Sequence, residues 1–281
     1  MLKILSAIFL LALTQAAHAQ SSCNIVNDEI TDTNANCMAE PKELYLTIYK
    51  LGLCASPPAA PTSNTAIDFF QCSIIFESSS GARVKIVKGV PTKLDGVVKR
   101  PPNGTYGYSF AVLSPYSEIK TILKFDQDRQ NYPAVGQTAT NGRVCWSRAG
   151  RFYSNRIGHI SDLVDCGSSV GSSYGFTTQV SNALGADGAG NGDVSRDFGV
   201  LTGYLVKSNY KLATSNPNDI GEIDKSISVI PMTTPLTVTR STKGMDISAS
   251  ISTGVMIEMN SLGTTIESFG QGQLLPIFTL Y

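Results

Sequence analysis

The sequence predicts an all-β protein with sandwich-type packing of its sheets. Short segments that alternate apolar and polar residues recur along the chain, and this period of two is typical of half-buried strands. Clusters of Gly, Pro, Asn and Ser separate these segments and favour turns. After residue 19, no long window shows the 3.6-residue period of an amphipathic helix.

The predicted strands extend to the last residue of the chain. Ala82 to Ile86 alternates small or apolar residues with basic ones, and Met245 to Ile251 places its apolar side chains on one face. A short helix is predicted at Ile160 to Val164. Pro276 makes the last segment an edge or terminal strand. The predicted strands are Leu44 to Leu51, Ala82 to Ile86, Tyr106 to Leu113, Ile119 to Phe125, Gly142 to Trp146, Met245 to Ile251, Val255 to Met259 and Leu274 to Tyr281.

A change in composition divides the chain. Every cysteine precedes residue 167, and residues 167–203 are rich in Gly and Ser, which favours a long loop or linker. We therefore predict a Cys-containing β domain at 20–166, a linker at 167–203 and a C-terminal β region at 204–281. Each module would be immunoglobulin-like or jelly-roll-like. One large β domain over 20–281 is the alternative.

The first residues are typical of a secretory signal. Lys3 precedes an apolar run from Ile4 to Leu13, and Ala17-His18-Ala19 follows, so we expect a signal at 1–19 that is cleaved after Ala19. The apolar run is too short to cross a bilayer core of about 30 Å. We expect export to the surface or surroundings of a Gram-negative bacterium, with the periplasm as the alternative.

The cysteines predict disulfides, because an even number in an exported chain favours bridges over thiols. The sequence does not by itself choose among the possible pairings. We predict nearest-neighbour pairing because each pair brackets a turn-rich segment. Close C-x-x-C pairs are absent, which argues against zinc. The predicted pairs are Cys23 with Cys37, Cys54 with Cys72, and Cys145 with Cys166.

The segment Gly167 to Gly171 fits the G-x-S-x-G pattern of a serine-hydrolase nucleophile elbow, with Ser169 as its serine. In that architecture the histidine follows the serine along the chain, but the last histidine here is His159. The flanking residues also make a poor strand and a poor helix start. We therefore interpret the segment as a flexible loop and predict no catalytic residue.

No cofactor is expected, although calcium is considered for the Gly-rich segment. Its side-chain oxygens could gather around a hard cation, while the simpler interpretation is that Asp and Asn stabilise turns there. The residues concerned are Asp187, Asn191, Asp193 and Asp197.

The last residues are the candidate assembly segment. An apolar stretch left in water is an aggregation liability, so it must be buried in its own domain or against a neighbouring subunit. A strand that pairs with a neighbour's open sheet edge gains a row of backbone hydrogen bonds. Membrane contact is a further alternative. The candidate residues are Leu274, Leu275, Ile277, Phe278, Leu280 and Tyr281.

The stretches LTIYKLGLC, DFFQC and TYGYSFAVLSPYSEIKTILKF resemble uncharacterised secreted all-β proteins of marine bacteria. An apolar Y-K-x-x-L-C strand, a second cysteine and a G-T-x-Y hairpin carry the resemblance, which covers about residues 44 to 125. The resemblance implies export and a β fold, and it implies no reaction. The matching residues are Tyr49, Lys50, Leu53, Cys54, Cys72, Gly104, Thr105 and Tyr106.

These observations predict a non-enzymatic extracellular or cell-surface protein, structural or adhesive, such as a filament or surface-layer subunit. Its partner would be itself or another surface protein. The 22 basic and 22 acidic residues balance, so no net field attracts nucleic acid. A secreted carbohydrate-binding or carbohydrate-active protein is the alternative. Its glycan would stack on aromatic side chains such as Tyr106, Tyr108, Tyr116, Trp146, Phe152 and Tyr153.

Overall fold

The computed structural model describes residues 21–31, 37–87, 90–133, 137–151, 163–180, 191–196, 199–213, 222–272 and 274–281. Within these ranges the extended elements are all β-strands, which confirms the predicted all-β class. The predicted signal at 1–19 and most of the predicted helix at Ile160 to Val164 lie outside the described residues. Val164 itself begins a strand, so the helix prediction is wrong there.

The strands are numbered in chain order. They are β1 (Ser21–Ser22), β2 (Ile25–Val26), β3 (Glu29–Ile30), β4 (Cys37–Ala39), β5 (Glu43–Cys54), β6 (Cys72–Ile86), β7 (Val97–Val98), β8 (Gly104–Leu113), β9 (Tyr116–Lys120), β10 (Ile122–Asn131), β11 (Asn141–Ser147), β12 (Gly150–Arg151), β13 (Val164–Gly167), β14 (Thr177–Val180), β15 (Asn191–Arg196), β16 (Gly199–Val206), β17 (Lys225–Val238), β18 (Met245–Ser250), β19 (Val255–Met259), β20 (Thr265–Gln271) and β21 (Leu275–Leu280).

The described strands form two large sheets and one hairpin-sized sheet. The first large sheet has the order β1-β4-β19-β20-β10-β11-β13, with β2 and β3 attached beside β10. The second has the order β12-β14-β9-β5-β8-β17-β16-β15. In addition, β6 pairs with β5, and β7 pairs with β6. The third contains β18 and β21.

The second sheet divides at β5, which is long enough to pair with two strands along one edge. Its N-terminal residues pair with β9 and its C-terminal residues pair with β8, while β6 accompanies its whole length on the other edge. The turn between β8 and β9 is fixed where the Ser114 N–H donates to the Thr47 carbonyl at 2.8 Å. The two halves of β5 therefore contribute to different parts of the core.

The alternation predicted for β6 is confirmed by burial. Ala82, Val84 and Ile86 are buried, while Arg83 and Lys85 are exposed. Period-two burial of this kind arises because successive side chains of a strand point to opposite faces. One face of β6 therefore packs inward and the other carries its cations to solvent.

The largest core cluster is formed by both large sheets. The first sheet contributes Phe125 and Phe269, and the second contributes Leu44, Phe76 and Ile119. A shared core between two sheets accounts for the alternating patterns, because each strand buries the face that meets the other sheet. The specific sandwich type remains a prediction.

Three disulfides connect the chain, and all of them lie before residue 167, as predicted. They are Cys23–Cys37, Cys54–Cys72 and Cys145–Cys166, which is the nearest-neighbour pairing. The last two join residues directly opposite each other on paired strands. Three disulfides in one chain indicate an oxidising environment, extracellular or periplasmic.

Strands from both sides of residues 167–203 pair with one another. β17 pairs with β8 in the second sheet, and β19 pairs with β4 in the first. In the described ranges, no helix is long and apolar enough to span a membrane.

Candidate functional site

The most distinctive surface is the small sheet formed by β18 and β21, which contains the candidate assembly residues. The two strands pair antiparallel, with Met245 opposite Leu280 and Ser250 opposite Leu275. The pairing continues one step further, because the Tyr281 carbonyl accepts from Gly244 N–H at 3.0 Å. A Cβ at Gly244 would lie 2.5 Å from the Tyr281 ring, so a side chain there would displace this exposed ring.

One face of this sheet packs on a separate core cluster of Leu53, Ile75, Tyr106 and Val238. The side chains that contact this cluster alternate along both strands, because side chains two residues apart share a face. They are Met245, Ile247, Phe278 and Leu280. The inward half of the candidate assembly segment is therefore partly buried against its own chain.

The opposite face of β21 is open to solvent. Ile277 is 43% exposed and Tyr281 is 63% exposed, with the exposed Thr279 between them. Leu274 packs partly buried against the largest core cluster. Leu275 enters the ladder opposite Ser250.

The two outer edges of the small sheet differ. On the β18 side, the Thr92 N–H donates to the Ile247 carbonyl at 3.1 Å, so a loop covers part of that edge. On the β21 side, no strand pairs with Leu275–Leu280 within the described ranges. An unpaired edge with exposed apolar side chains is a template for strand addition.

Two other sheet edges carry protection that the later half of β21, after Pro276, lacks. The outer edge of β13 is capped because Asn131 Nδ2 donates to the Val164 carbonyl at 2.9 Å, and the Cys166 N–H donates to Thr140 Oγ1 at 2.8 Å. β7 is only Val97–Val98 long, and basic and proline residues follow it. Short edges, charges and prolines discourage edge pairing.

The G-x-S-x-G segment begins at Gly167, the last residue of β13, and continues as a packed loop. A Cβ at Gly171 would lie 2.7 Å from the Trp146 ring, and the Trp146 indole N–H donates to Ser173 Oγ at 2.8 Å. Ser173 in turn donates to Asp165 Oδ2 at 2.5 Å. Ser169 points into solvent, and His159 lies outside the described residues. The segment therefore serves as a cover over Trp146.

The aromatic residues considered for glycan stacking are distributed differently. Trp146 and Tyr106 are each only 6% exposed, and the Tyr106 hydroxyl donates to the Pro102 carbonyl at 2.8 Å. Tyr108 and Tyr116 are half-buried. Phe152 and Tyr153 lie outside the described residues. Trp146 does not offer a ring face to a ligand.

The calcium candidates are mostly outside the described part of the chain. Asp187 and Asp197 lie there, while Asn191 and Asp193 belong to β15, of which only the backbone is described. In the described ranges, no group of three or more His, Cys, Asp or Glu side chains is placed to hold a metal.

The sequence interpretation missed a charged face on β5, β6 and β9. Arg83 donates from Nε and Nη2 to the two carboxylate oxygens of Glu118, both at 2.8 Å. Glu43 accepts from Lys85 at 2.9 Å and from Lys120 at 3.3 Å. The alternation of basic residues in β6 is the signal for this face. Lys85 and Lys120 pair with Glu43 on the neighbouring strand β5, and Arg83 reaches across β5 to Glu118 on β9.

The electrostatics of the charged face follow from this pairing. Hydrogen bonds from Lys85 and then Lys120 hold the pKa of the Glu43 carboxyl below its ordinary value. Hydrogen bonds from Arg83 lower the pKa of Glu118 in the same way. The Arg83 guanidinium also lies 3.9 Å from the Tyr45 ring centroid. These cations pair with carboxylates of the same chain, so the charged face has a structural role.

A second missed feature is Phe70, which is 85% exposed. It lies in the loop that the Cys54–Cys72 disulfide closes, and its N–H donates to Asp68 Oδ1 at 2.8 Å. The neighbouring Phe69 packs inward on Phe110. The pair Phe69-Phe70 is visible in the sequence, but only the loop conformation decides which ring faces solvent.

Comparisons with known protein families, curated proteins and solved structures find no match to this chain. Function is therefore inferred from the surfaces described above.

Proposed function

We propose that this protein is a non-enzymatic structural or adhesive subunit that associates with copies of itself outside the cytoplasm or at the surface of a Gram-negative bacterium. The observation that carries the proposal is the unpaired edge of β21, a six-residue strand beside the exposed side chains of Ile277 and Tyr281. Pairing along such an edge satisfies backbone groups and buries apolar area in one step. The three disulfides support a location in an oxidising compartment.

The inward face of β21 keeps the strand in place while its edge stays open. Phe278 and Leu280 hold β21 on its own core cluster, so the strand is already ordered before it meets a partner. Binding therefore costs less conformational entropy than it would if the segment were flexible. A preformed edge therefore favours association between folded subunits.

The test compares two exposed β-branched residues on two different sheet edges. Ile277→Lys places a charge on the edge of β21, and Val98→Lys places the same charge on β7, where Val98 is 71% exposed. Light scattering after size exclusion and negative-stain imaging measure the assembly of each variant. We expect wild type and Val98→Lys to form oligomers or polymers and Ile277→Lys to remain monomeric, because edge charges oppose strand addition.

Circular dichroism and urea unfolding establish that both variants are folded. A wild-type protein that stays monomeric over the whole accessible concentration range contradicts the proposal. Assembly that is lost in Val98→Lys and kept in Ile277→Lys moves the interface to β7.

The burial of Trp146 bears on the carbohydrate-binding alternative. A glycan platform needs an aromatic face open to solvent, and the Trp146 ring is covered by Gly171. Among the described residues, the alternative would have to use other rings, such as Phe70, which is 85% exposed, or Tyr45, which already faces Arg83.

A further inference from the structure

We propose that β21 pairs antiparallel with β21 of a second copy, in a two-fold register centred on Thr279. This inference rests on the self-association proposed above and specifies its geometry. The pairing would join two small sheets into one continuous sheet with the strand order β18-β21-β21-β18. The backbone groups of β21 that point to the open edge determine this register.

The hydrogen bonds to β18 determine those directions. Tyr281 N–H donates to the Gly244 carbonyl at 3.2 Å, and Gly244 N–H donates to the Tyr281 carbonyl at 3.0 Å. In an antiparallel ladder such bonded pairs alternate with unbonded ones. Thr279 and Ile277 therefore also direct their backbone groups to β18, while Phe278 and Leu280 direct theirs to the open edge.

The hydrogen bonding of β18 shows the same alternation. The Ile247 carbonyl points away from β21 and accepts from Thr92, as expected for the unbonded pair that Ile247 forms with Phe278. The donors and acceptors available to a second copy are thus the N–H and carbonyl groups of Phe278 and Leu280.

Only one two-fold register uses all four of these groups. When Thr279 faces Thr279 of the second copy, Phe278 of each strand faces Leu280 of the other, and both pairs exchange hydrogen bonds. A register shifted towards the start of the strand brings in Pro276, which has no N–H to donate. The position of Pro276 therefore limits the pairing to the later half of β21.

Charge and side-chain chemistry agree with a second copy as the occupant. In this register Ile277 of one strand faces Tyr281 of the other on the exposed face, with Thr279 between them. None of the three side chains carries a charge, so no like charges are brought together. An aromatic ring opposite a β-branched residue is a favourable cross-strand pair. The same strand therefore complements itself.

The experiment is disulfide trapping with single introduced cysteines. All six natural cysteines are in disulfides, so an added thiol is unique. Directly opposite residues of an unbonded pair have Cα atoms about 4.5 Å apart, which a disulfide can span. Thr279→Cys should therefore shift to a disulfide-linked dimer on a non-reducing gel under mild oxidation.

Two further variants test the register. In Ile277→Cys the two thiols would be displaced by about 13 Å along the strands, so this variant alone should remain monomeric on the gel. A mixture of Ile277→Cys and Tyr281→Cys should give the cross-linked heterodimer. Thr233→Cys, at an exposed position of β17, measures linkage through random collision.

The outcomes separate this inference from the proposed function. If wild type self-associates while Thr279→Cys links no more than Thr233→Cys, the register is wrong and self-association stands. Efficient linkage of Ile277→Cys with itself indicates a parallel or shifted pairing and also overturns the register. A wild type that is monomeric by light scattering contradicts both.

Discussion

The ring of Phe69 stacks on the ring of Phe110 with centroids 4.3 Å apart, whereas the next residue, Phe70, is 85% exposed. We expect Phe69→Ala to lower the free energy of unfolding by about 3 kcal/mol, because it removes a ring from a packed cluster. Phe70→Ala should change it by less than about 0.5 kcal/mol. Urea midpoints at unchanged slope measure both values. Equal losses in the two variants would contradict the assigned orientations.

The Cys54–Cys72 disulfide should stabilise the fold by restricting the unfolded chain. The two cysteines are 18 residues apart, for which the chain-entropy account gives about 3 kcal/mol. We expect the double variant Cys54→Ala/Cys72→Ala to lose about this amount in urea unfolding. Its intact mass before and after reduction should show that the other two disulfides remain. An unchanged unfolding midpoint would show that the bridge contributes little.

The Arg83–Glu118 pair predicts a pH dependence of stability. Because hydrogen bonds from Arg83 lower the folded-state pKa of Glu118 below its ordinary value, the pair stabilises the protein above the unfolded pKa. That stabilisation is lost as the pH falls through the folded pKa. The loss should stay below about 1 kcal/mol, because solvent screens the exposed pair.

The measurement compares wild type with Glu118→Gln by urea unfolding at neutral pH and at about pH 3. Wild type should lose more stability than the variant over this interval. High salt should reduce the difference, since the pair is solvent-exposed. Identical pH profiles would show that the pair has no net effect.

The cover over Trp146 is tested by adding volume at Gly171. A Cβ there would lie 2.7 Å from the ring, so Gly171→Val should displace the loop or the indole and cost about 1–3 kcal/mol. The change should also alter Trp146 fluorescence, because water would reach the ring. Ser169→Val, at an exposed position, is the matched control and should leave both signals unchanged. Unchanged stability and fluorescence in Gly171→Val would contradict the packed loop.

Residues 167–171 form a packed segment whose local composition is equally typical of a flexible loop. The missing later histidine was sufficient to argue against a hydrolase elbow, and the structure places Ser169 in solvent. The sequence interpretation expected a flexible loop there, but Gly171 and Ser173 both contact Trp146. Small residues permit such close contact as well as they permit flexibility. Local composition does not distinguish the two, because the contacting ring lies on another strand.

The sequence by itself determined the all-β class, the faces of individual strands and the presence of disulfides. Alternation in Ala82 to Ile86 and in β18 specifies which side chains share a face, because that is a property of consecutive residues. Tertiary structure alone decided which strands pair and which edges stay open. β18 and β21 meet across an intervening hairpin of β19 and β20, and such non-local pairing depends on the whole core. The open edge of β21 exists because Phe278 and Leu280 are held on one cluster while no other strand reaches that side within the described ranges.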